Sequence, residues 1–308
     1  MDLNYKILIK ISSLILAVTG ISMIPSIICA AVYGETTCLK AFAFFFVLFT
    51  AAGFLIYKAV PARYSHISAR DGFLIVAACW IVSCLFGAFP YMFSGEGFTF
   101  AQAVFESTAG FTTTGATSVS GFLGPKSLIL FKAVAHWLGG MGILILAVSI
   151  LPALGIGGQN IAKAETPAPK VDKLSNRISD SARILYIMYL MLSLIEFILL
   201  MFNRKMTVFD ALVNTLSTIS TSGIITHEAG LAFYESFYVE MVITVFTIFA
   251  SINFNLYYFL LNRRIKEFFG NTELRAFLGI VGVVTVIITV NLWIIGIYGG
   301  LFSSLRYA

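Results

Sequence analysis

The fold of this chain is decided by residues 105–117, which read FESTAGFTTTGAT. The polar run within this stretch ends in Gly115, and a second run, Ser220-Thr221-Ser222-Gly223, lies 108 residues further along. The segments around the two runs align without a gap, and identical residues occupy four pairs of positions: Thr99 and Thr207, Ala103 and Ala211, Thr113 and Thr221, Gly115 and Gly223. The chain therefore contains an internal repeat, and its fold is expected to be built around that repeat.

The composition places this repeat in a membrane protein. Of the 308 residues, 59% are hydrophobic and 11% are charged, and the mean hydropathy is +0.93. A soluble globular chain is about half apolar and a quarter charged, so a soluble enzyme, a disordered chain and a secreted disulfide scaffold are excluded. A bilayer-spanning helix needs about 20 apolar residues, and seven runs are long enough: residues 7–32, 39–60, 73–93, 127–154, 184–202, 233–261 and 274–298.

Two connections between these predicted spans are too long for tight turns and too apolar for ordinary solvated loops. Each contains a segment of about ten residues, Phe100 to Ala109 and Val208 to Ser217, which is too short to cross a bilayer. Each short segment leads into one of the polar runs. A single such run could be a turn in an exposed loop, but two copies between long spans favour a pair of re-entrant pore loops.

The residue types in the two runs suit a cation pathway. Backbone carbonyls around a pore can replace the water shell of a cation, and glycine lets the backbone approach the ion closely. The short helix before each run would direct its negative C-terminal end toward the pore. Glu106, which the second copy replaces with Asn214, could either add to this field or brace the loop from behind. Bracing is favoured, because a charge at the filter would hold the ion too tightly to conduct it.

The basic residues predict the orientation of the chain. The net charge is +5, and with a cytoplasmic N-terminus 14 of the 20 Lys and Arg residues fall on the cytoplasmic side. The positive-inside rule therefore favours this orientation, with both re-entrant segments entering from outside. Residues 159–180, the longest hydrophilic stretch, are then cytoplasmic. A solvated linker is slightly favoured there over a docking surface for a cytosolic partner.

Other polar residues do not indicate enzyme chemistry, because the chain has no HExxH motif, no nucleophile elbow and no carboxylate pair within a span. The four cysteines are interpreted as buried apolar residues rather than metal ligands or a disulfide pair. Lys132 is expected to direct its ammonium outward from the fourth span. Glu196 lies inside the fifth span and could be a proton relay, although a buried partner or an interface position is favoured.

With these features the chain resembles a known family, the TrkH-type potassium uptake proteins of the Trk/Ktr/HKT superfamily. Residues 105–117 resemble the first pore loop of that family, and the resemblance runs along most of the chain. Further matching segments are residues 136–142 (HWLGGMG) and 147–152 (AVSILP) in the next span, 163–167 (KAETP) and 181–185 (SARIL) in the central linker, and 251–254 (SINF) in the sixth span.

The resemblance implies an all-α polytopic membrane protein, with two leading helices followed by span–pore-loop–span repeats like those of potassium channels. About seven transmembrane helices are expected in this chain. The expected segments are a two-helix membrane segment (1–70), a first repeat (71–158), a cytoplasmic linker (159–181), a second repeat (182–272) and the start of a third (273–308). The chain would then end at the beginning of a third pore helix and lack two of the four filters of the family.

The resemblance also assigns a potassium site. The filter would consist of Thr113, Thr114, Gly115, Thr221, Ser222 and Gly223, supported by Thr112, Ala116, Glu106, Ser220 and Ile224. Ser222 and Ile224 depart from the family, which more often has glycine and phenylalanine there. Potassium is the transported ion, with no covalent cofactor and no transition-metal site. The implied partners are a second subunit in a homodimer, a cytosolic nucleotide-binding ring of the TrkA type and membrane lipid, with no nucleic acid.

The predicted function is potassium uptake across a bacterial inner membrane, as a passive or ion-coupled conductance selected by the backbone carbonyls of the two loops. One alternative is a truncated, non-conducting fragment that serves as a structural or assembly module. The others are a transporter of another monovalent cation (sodium and potassium) and an unrelated polytopic transporter or enzyme.

Overall fold

The computed structural model describes residues 5–61, 69–118, 124–142, 178–224, 226–261 and 263–308, and the regular elements of these residues are all helices. In chain order they are α1 (Tyr5–Ile21), α2 (Ile24–Tyr33), α3 (Thr36–Ala59), α4 (Ala69–Gly87), α5 (Phe89–Met92), α6 (Phe100–Phe111), α7 (Lys126–Gly140), α8 (Ile178–Met201), α9 (Val208–Ile219), a 3₁₀ helix (Gly230–Tyr234), α10 (Phe237–Ser251), α11 (Phe254–Leu261), α12 (Ile265–Gly270), α13 (Thr272–Ile295) and α14 (Leu301–Arg306). The chain forms two units, residues 1–250 and 251–308.

The helices confirm an all-α polytopic membrane protein. Four described stretches are long and apolar enough to cross a bilayer: Tyr5–Tyr33, Thr36–Ala59, Asp71–Met92 and Thr272–Ile295. The predicted fifth span contains the apolar helical stretch Leu185–Met201. The predicted fourth span is described only as far as residue 142, and most of the predicted linker at 159–181 also lies outside the described residues.

The predicted sixth span differs from the single run expected over residues 233–261. Residues 230–234 form the 3₁₀ helix, α10 ends at Ser251 and α11 begins at Phe254. The interruption falls at Ile252 and Asn253, and the Asn253 amide lies 3.2 Å and 3.3 Å from the two carboxylate oxygens of Glu273. An asparagine with a side-chain partner outside the helix competes with continued helical bonding, which the hydropathy of the run does not reveal.

In the first unit, α7 is the central helix. It packs against α6, α9 and α2, while α6 also packs on α4 and α9 on α8. Small residues allow these close approaches: a Cβ added to Gly87 would lie 2.5 Å from the Ser107 hydroxyl, and one added to Gly110 would lie 3.2 Å from Ala135 Cβ. The two short helices α6 and α9 are therefore both held against α7.

The start of α7 is fixed by a residue from a distant part of the chain. The Glu35 carboxylate, between α2 and α3, accepts hydrogen bonds from the backbone amides of Lys126 (2.7 Å) and Ser127 (3.0 Å). The Lys126 ammonium lies 4.0 Å from the centroid of the Tyr33 ring. A carboxylate at a helix N-terminus satisfies free amides and complements the helix dipole. Glu35 thus connects the leading helices α2 and α3 to α7, the helix against which α6 and α9 pack.

Replacing Glu35 with alanine is expected to destabilise the protein by about 1 kcal/mol, the usual cost of losing a side-chain cap. The measurement is thermal unfolding of the detergent-solubilised protein. Glu96→Ala is the control, because Glu96 is exposed and its side chain caps no described helix. Equal melting temperatures for the two variants would contradict the capping role of Glu35.

The second unit consists of α11 to α14. Within it α11 packs on α12, α12 on α13 and α13 on α14. The side chain of Asn271 accepts a hydrogen bond from the Leu274 amide (3.2 Å) and so caps α13. Many large apolar side chains of α13 are exposed in this structure, including Ile294 at 74% and Ile280 at 65%. Such a helix suits a bilayer or an apolar neighbour.

Candidate functional site

The helices α6 and α9 begin in the same way and have the same length of 12 residues. The Thr99 hydroxyl caps α6 by accepting from the Gln102 amide (3.3 Å), and the Gln102 side chain accepts from the Thr99 amide (3.0 Å). The Thr207 hydroxyl caps α9 by accepting from the Asp210 amide (3.1 Å). At about 1.5 Å per residue each helix is roughly 18 Å long, too short to cross a hydrocarbon core of about 30 Å.

Each short helix leads into a loop with the same unusual backbone. We define loop 1 as residues 112–118 and loop 2 as residues 220–226. Thr113 and Thr221 have φ values of 55° and 54°, and Gly115 and Gly223 have values of 70° and 72°. A β-branched residue rarely adopts this left-handed conformation, and such strain concentrates at functional sites. Two matched occurrences indicate a shared function for the two loops.

The hydrogen bonds of the loop amides are also matched. The amides of Thr113 and Thr114 donate to the carbonyls of Gly110 (3.1 Å) and Ala109 (3.0 Å). In loop 2, the amides of Thr221 and Ser222 donate to the corresponding carbonyls of Thr218 and Ser217, both at 2.9 Å. The end of each short helix therefore fixes the backbone of the loop that follows it.

The carbonyl groups of the same loop residues, unlike their amides, have no described hydrogen-bond partner. Within the part of the chain that the structure describes, no hydrogen bond is donated to the carbonyl oxygens of Thr113, Thr114, Thr221 or Ser222. Backbone carbonyls in a folded protein nearly always have a partner. These four oxygens are therefore available to a ligand that needs oxygen donors, and a dehydrated cation is such a ligand.

The two loops contact each other at Gly115. A Cβ added to Gly115 would overlap the carbonyl oxygen of Ser222, whereas one added to Gly223 would meet no atom within 4 Å. The absence of a side chain at Gly115 thus permits the approach of the two loops. The structure thus brings the predicted site residues Gly115 and Ser222 together from positions more than 100 residues apart.

Consecutive glycines of α7 support the two loops from behind. A Cβ on Gly139 would overlap the carbonyl of Phe111 and lie 3.2 Å from the Thr113 methyl group. A Cβ on Gly140 would lie 3.2 Å from Ser220 Cα and 2.6 Å from the Tyr189 hydroxyl. Gly139 therefore lies against the first loop region and Gly140 against the second. The sequence does not reveal this division, because it depends on how α7 packs against both short helices.

Loop 1 is braced by a buried ion pair. Lys132 Nζ lies 2.6 Å from Glu106 Oε2 and also donates to the Ala116 carbonyl at 2.9 Å. Glu106 Oε1 accepts from the Ser118 amide at 2.6 Å and from the hydroxyls of Thr117 and Ser118, both at 2.9 Å. Glu106 is 2% exposed. The Glu106 carboxylate thus connects Lys132 of α7 to residues 117 and 118 of loop 1.

The sequence analysis was wrong about Lys132, which points to Glu106 rather than outward. The two residues are 26 positions apart, and the Lys132 side chain is only 13% exposed. The available signal was a basic residue well inside an apolar span, which requires a buried partner when it cannot reach the surface.

Loop 2 is braced by a largely neutral network. Asn214, which takes the position of Glu106, donates to the Asp210 carbonyl (2.8 Å) and lies 3.5 Å from the Tyr234 hydroxyl. The Tyr234 hydroxyl lies 3.2 Å from the hydroxyl of Thr226, the counterpart of Ser118. His227 stacks on Phe233 at 3.7 Å and lies 3.3 Å from an Asp210 oxygen.

Three further predicted site residues form local hydrogen bonds in the loop regions. The Thr112 hydroxyl donates to the Thr108 carbonyl (2.6 Å), and the Ser220 hydroxyl donates to the Leu216 carbonyl (2.7 Å). The Ile224 carbonyl accepts from the Ser217 hydroxyl at 3.2 Å. None of the four cysteines is in a disulfide bond, and the described residues contain no group of three or more His, Cys, Asp or Glu residues that could hold a metal ion.

Comparison with known proteins gives consistent matches. The profile of the family described as TrkH, cation transport protein, matches residues 37–305. The chain is 33% identical to the Trk system potassium uptake protein TrkH of Salmonella typhimurium, covering 96% of this chain and 61% of that protein. It is 34% identical to the Trk system potassium uptake protein TrkG of Escherichia coli, covering 91% and 58% respectively.

A solved structure matches as well. The crystal structure of the potassium transporter TrkH from Vibrio parahaemolyticus superposes with a TM-score of 0.82 at 28% identity, covering 99% of this chain and 62% of that one. The chain thus spans about three fifths of the length of these relatives.

Proposed function

The chain belongs to the TrkH family of cation transport proteins, a family of transporters rather than enzymes, and we propose that it takes up potassium ions through a pore lined by loops 1 and 2. The observation that carries this proposal is the set of four matched loop carbonyls, at Thr113, Thr114, Thr221 and Ser222, to which no described residue donates a hydrogen bond.

The chemistry of these oxygens fits a potassium ion. A carbonyl carries a partial negative charge, so several of them replace the hydration shell without binding the ion as tightly as a carboxylate would. The C-terminal ends of α6 and α9 lie directly before the loops, and their dipoles favour a cation there. The Glu106 carboxylate is fully engaged by Lys132 and loop 1 donors, which supports a bracing role over direct ion binding.

The family extends this proposal beyond the two loops. We propose the domain boundaries given above, with α6 and α9 as the pore helices of two repeats. Thr112, Ala116, Ser220 and Ile224 would support the filter. The N-terminus would be cytoplasmic, in a bacterial inner membrane. Assembly as a homodimer above a TrkA-type ring is likewise proposed for the protein. This chain spans about three fifths of the length of these relatives.

Expression of the protein in a bacterial strain that lacks potassium uptake tests the function. We expect growth at limiting potassium and uptake of rubidium, a potassium analogue, into cells or liposomes. Equal sodium flux would favour the alternative of a less selective monovalent-cation transporter. A correctly inserted protein without any cation flux would contradict the proposal and favour a structural or assembly module.

A further inference from the structure

Glu196 is a buried carboxyl group that the proposed pore does not use. It lies on α8, is 0% exposed, and neither of its carboxyl oxygens forms a hydrogen bond with the described residues. Burying an ionised carboxylate without a partner is very unfavourable. Within a predicted span such a residue indicates a functional site by default.

Among the described residues, the polar side chain beside the Glu196 carboxyl group is the hydroxyl of Thr218 on α9. No described residue forms an ion pair with Glu196. The charged groups of the neighbouring helices lie elsewhere: Asp210 of α9 meets Thr207 and His227, Lys132 of α7 meets Glu106, and Glu240 of α10 is partly exposed. The titratable Tyr189 of α8 and His136 of α7 bond to the carbonyls of Trp137 and Lys132.

This polar pair is specific to the second repeat. At the same offset of 108 residues, Glu196 corresponds to Ala88 and Thr218 corresponds to Gly110. Ala88 is also fully buried, so the first repeat fills the equivalent position with small apolar residues. The requirement of helix packing alone is therefore met without a carboxyl group, and Glu196 needs another explanation.

We propose that Glu196 is a proton-binding site that controls the conformation of loop 2. A proton is the smallest positive ligand that neutralises this buried carboxyl group. The protonated group can donate to the Thr218 hydroxyl after a small rotation. Loss of the proton leaves a charge beside Thr218, whose carbonyl accepts the amide of Thr221 at 2.9 Å.

This contact connects the proton site to the proposed pore. Thr221 holds its left-handed backbone through that hydrogen bond, and its own carbonyl is one of the four unpaired oxygens. A shift of Thr218 therefore changes the orientation of a proposed potassium ligand. Control of ion flux by Glu196 rests on the proposed function, whereas proton binding by Glu196 does not.

Infrared spectroscopy of the detergent-solubilised protein tests the proton site without any transport measurement. We expect a carbonyl stretching band of a protonated carboxyl group at neutral pH that is lost in Glu196→Gln. Glu228→Gln is the control, because Glu228 is exposed and its replacement should leave this band unchanged. A wild-type spectrum with no such band, or a carboxylate signal that shifts on potassium addition, would overturn the proposal.

The pH dependence of rubidium uptake tests the control of flux. Wild-type uptake is expected to fall several-fold as the pH is raised through the titration of Glu196, whereas Glu196→Gln, which cannot lose a proton, should keep its uptake. Identical pH profiles would refute the control of loop 2. If neither protein transports but the infrared band is present in wild type and absent in Glu196→Gln, the proposed function fails while the proton site stands.

Discussion

Replacement of Gly115 by alanine is expected to abolish potassium uptake. Gly115 has a φ of 70°, and an added Cβ would overlap the carbonyl oxygen of Ser222. The left-handed conformation alone costs an L-residue about 1–2 kcal/mol, and the overlap requires the two loops to separate. Since the carbonyls of both loops are the proposed ligands, separation removes them from the ion. Rubidium uptake should fall by more than a factor of ten, while the amount of protein in the membrane stays similar.

Substitutions at two other glycines distinguish the effect of the steric overlap from the effect of the backbone strain. Gly223 has a φ of 72° in the matched position of loop 2, but a Cβ there meets no atom within 4 Å. Gly223→Ala should therefore reduce uptake less than Gly115→Ala. Gly34 also has a φ of 72° with open space around it, and it lies between α2 and α3 away from the loops. Gly34→Ala should transport like wild type. Normal uptake by Gly115→Ala would show that the loops do not form the pathway.

The helix caps and the positive-φ glycines of the two loop regions can be predicted from the sequence because the repeat leaves a local signal. Thr99 and Thr207, which cap the short helices, and Gly115 and Gly223, which need positive φ, are each specified by residue type at a fixed position. The helices α6 and α9 consequently begin and end at positions that differ by the repeat offset alone. The clustering of apolar residues likewise identifies most of the long helices.

Long-range polar pairs could not be predicted in the same way. The partner of Glu35 is the start of α7, 91 residues away, and the partner of Glu106 is Lys132. Such pairs depend on how helices pack, and many residues of suitable charge compete for each position in the sequence. The interruption at Asn253 was missed for a related reason, because its carboxylate partner Glu273 lies on another helix.

The two loops use different means to reach the same backbone conformation. Loop 1 is held by the ion pair of Glu106 and Lys132, and loop 2 is held by the neutral side chains of Asn214, Tyr234 and Thr226, with Asp210 and His227 beside them. A neutral network tolerates the loss of one member better than a buried ion pair does, because no charge is left unpaired. We therefore expect the first loop to be the more sensitive of the two to single substitutions behind it.

Lys132→Met is expected to be the most destabilising substitution behind the loops. Removing one partner of a buried ion pair leaves an uncompensated charge, at a cost of about 3–5 kcal/mol, and here it also removes the donor to the Ala116 carbonyl. Thermal unfolding and uptake should both show the loss. The control is Lys205→Met, because Lys205 pairs with Glu235 at 3.0 Å with side chains 58% and 79% exposed, and an exposed pair contributes only about 0–1 kcal/mol.

A second substitution identifies the source of the effect. Glu106→Gln in the Lys132→Met background removes the unpaired charge, so the double variant should be more stable than Lys132→Met alone. Its uptake should stay low, because the Ala116 carbonyl has still lost its donor and the Ser118 amide now meets a neutral amide oxygen. Lys132→Met that unfolds like Lys205→Met would show that the charge of Glu106 is compensated elsewhere. Restored uptake in the double variant would show that loop 1 needs neither the ion pair nor the donor to the Ala116 carbonyl.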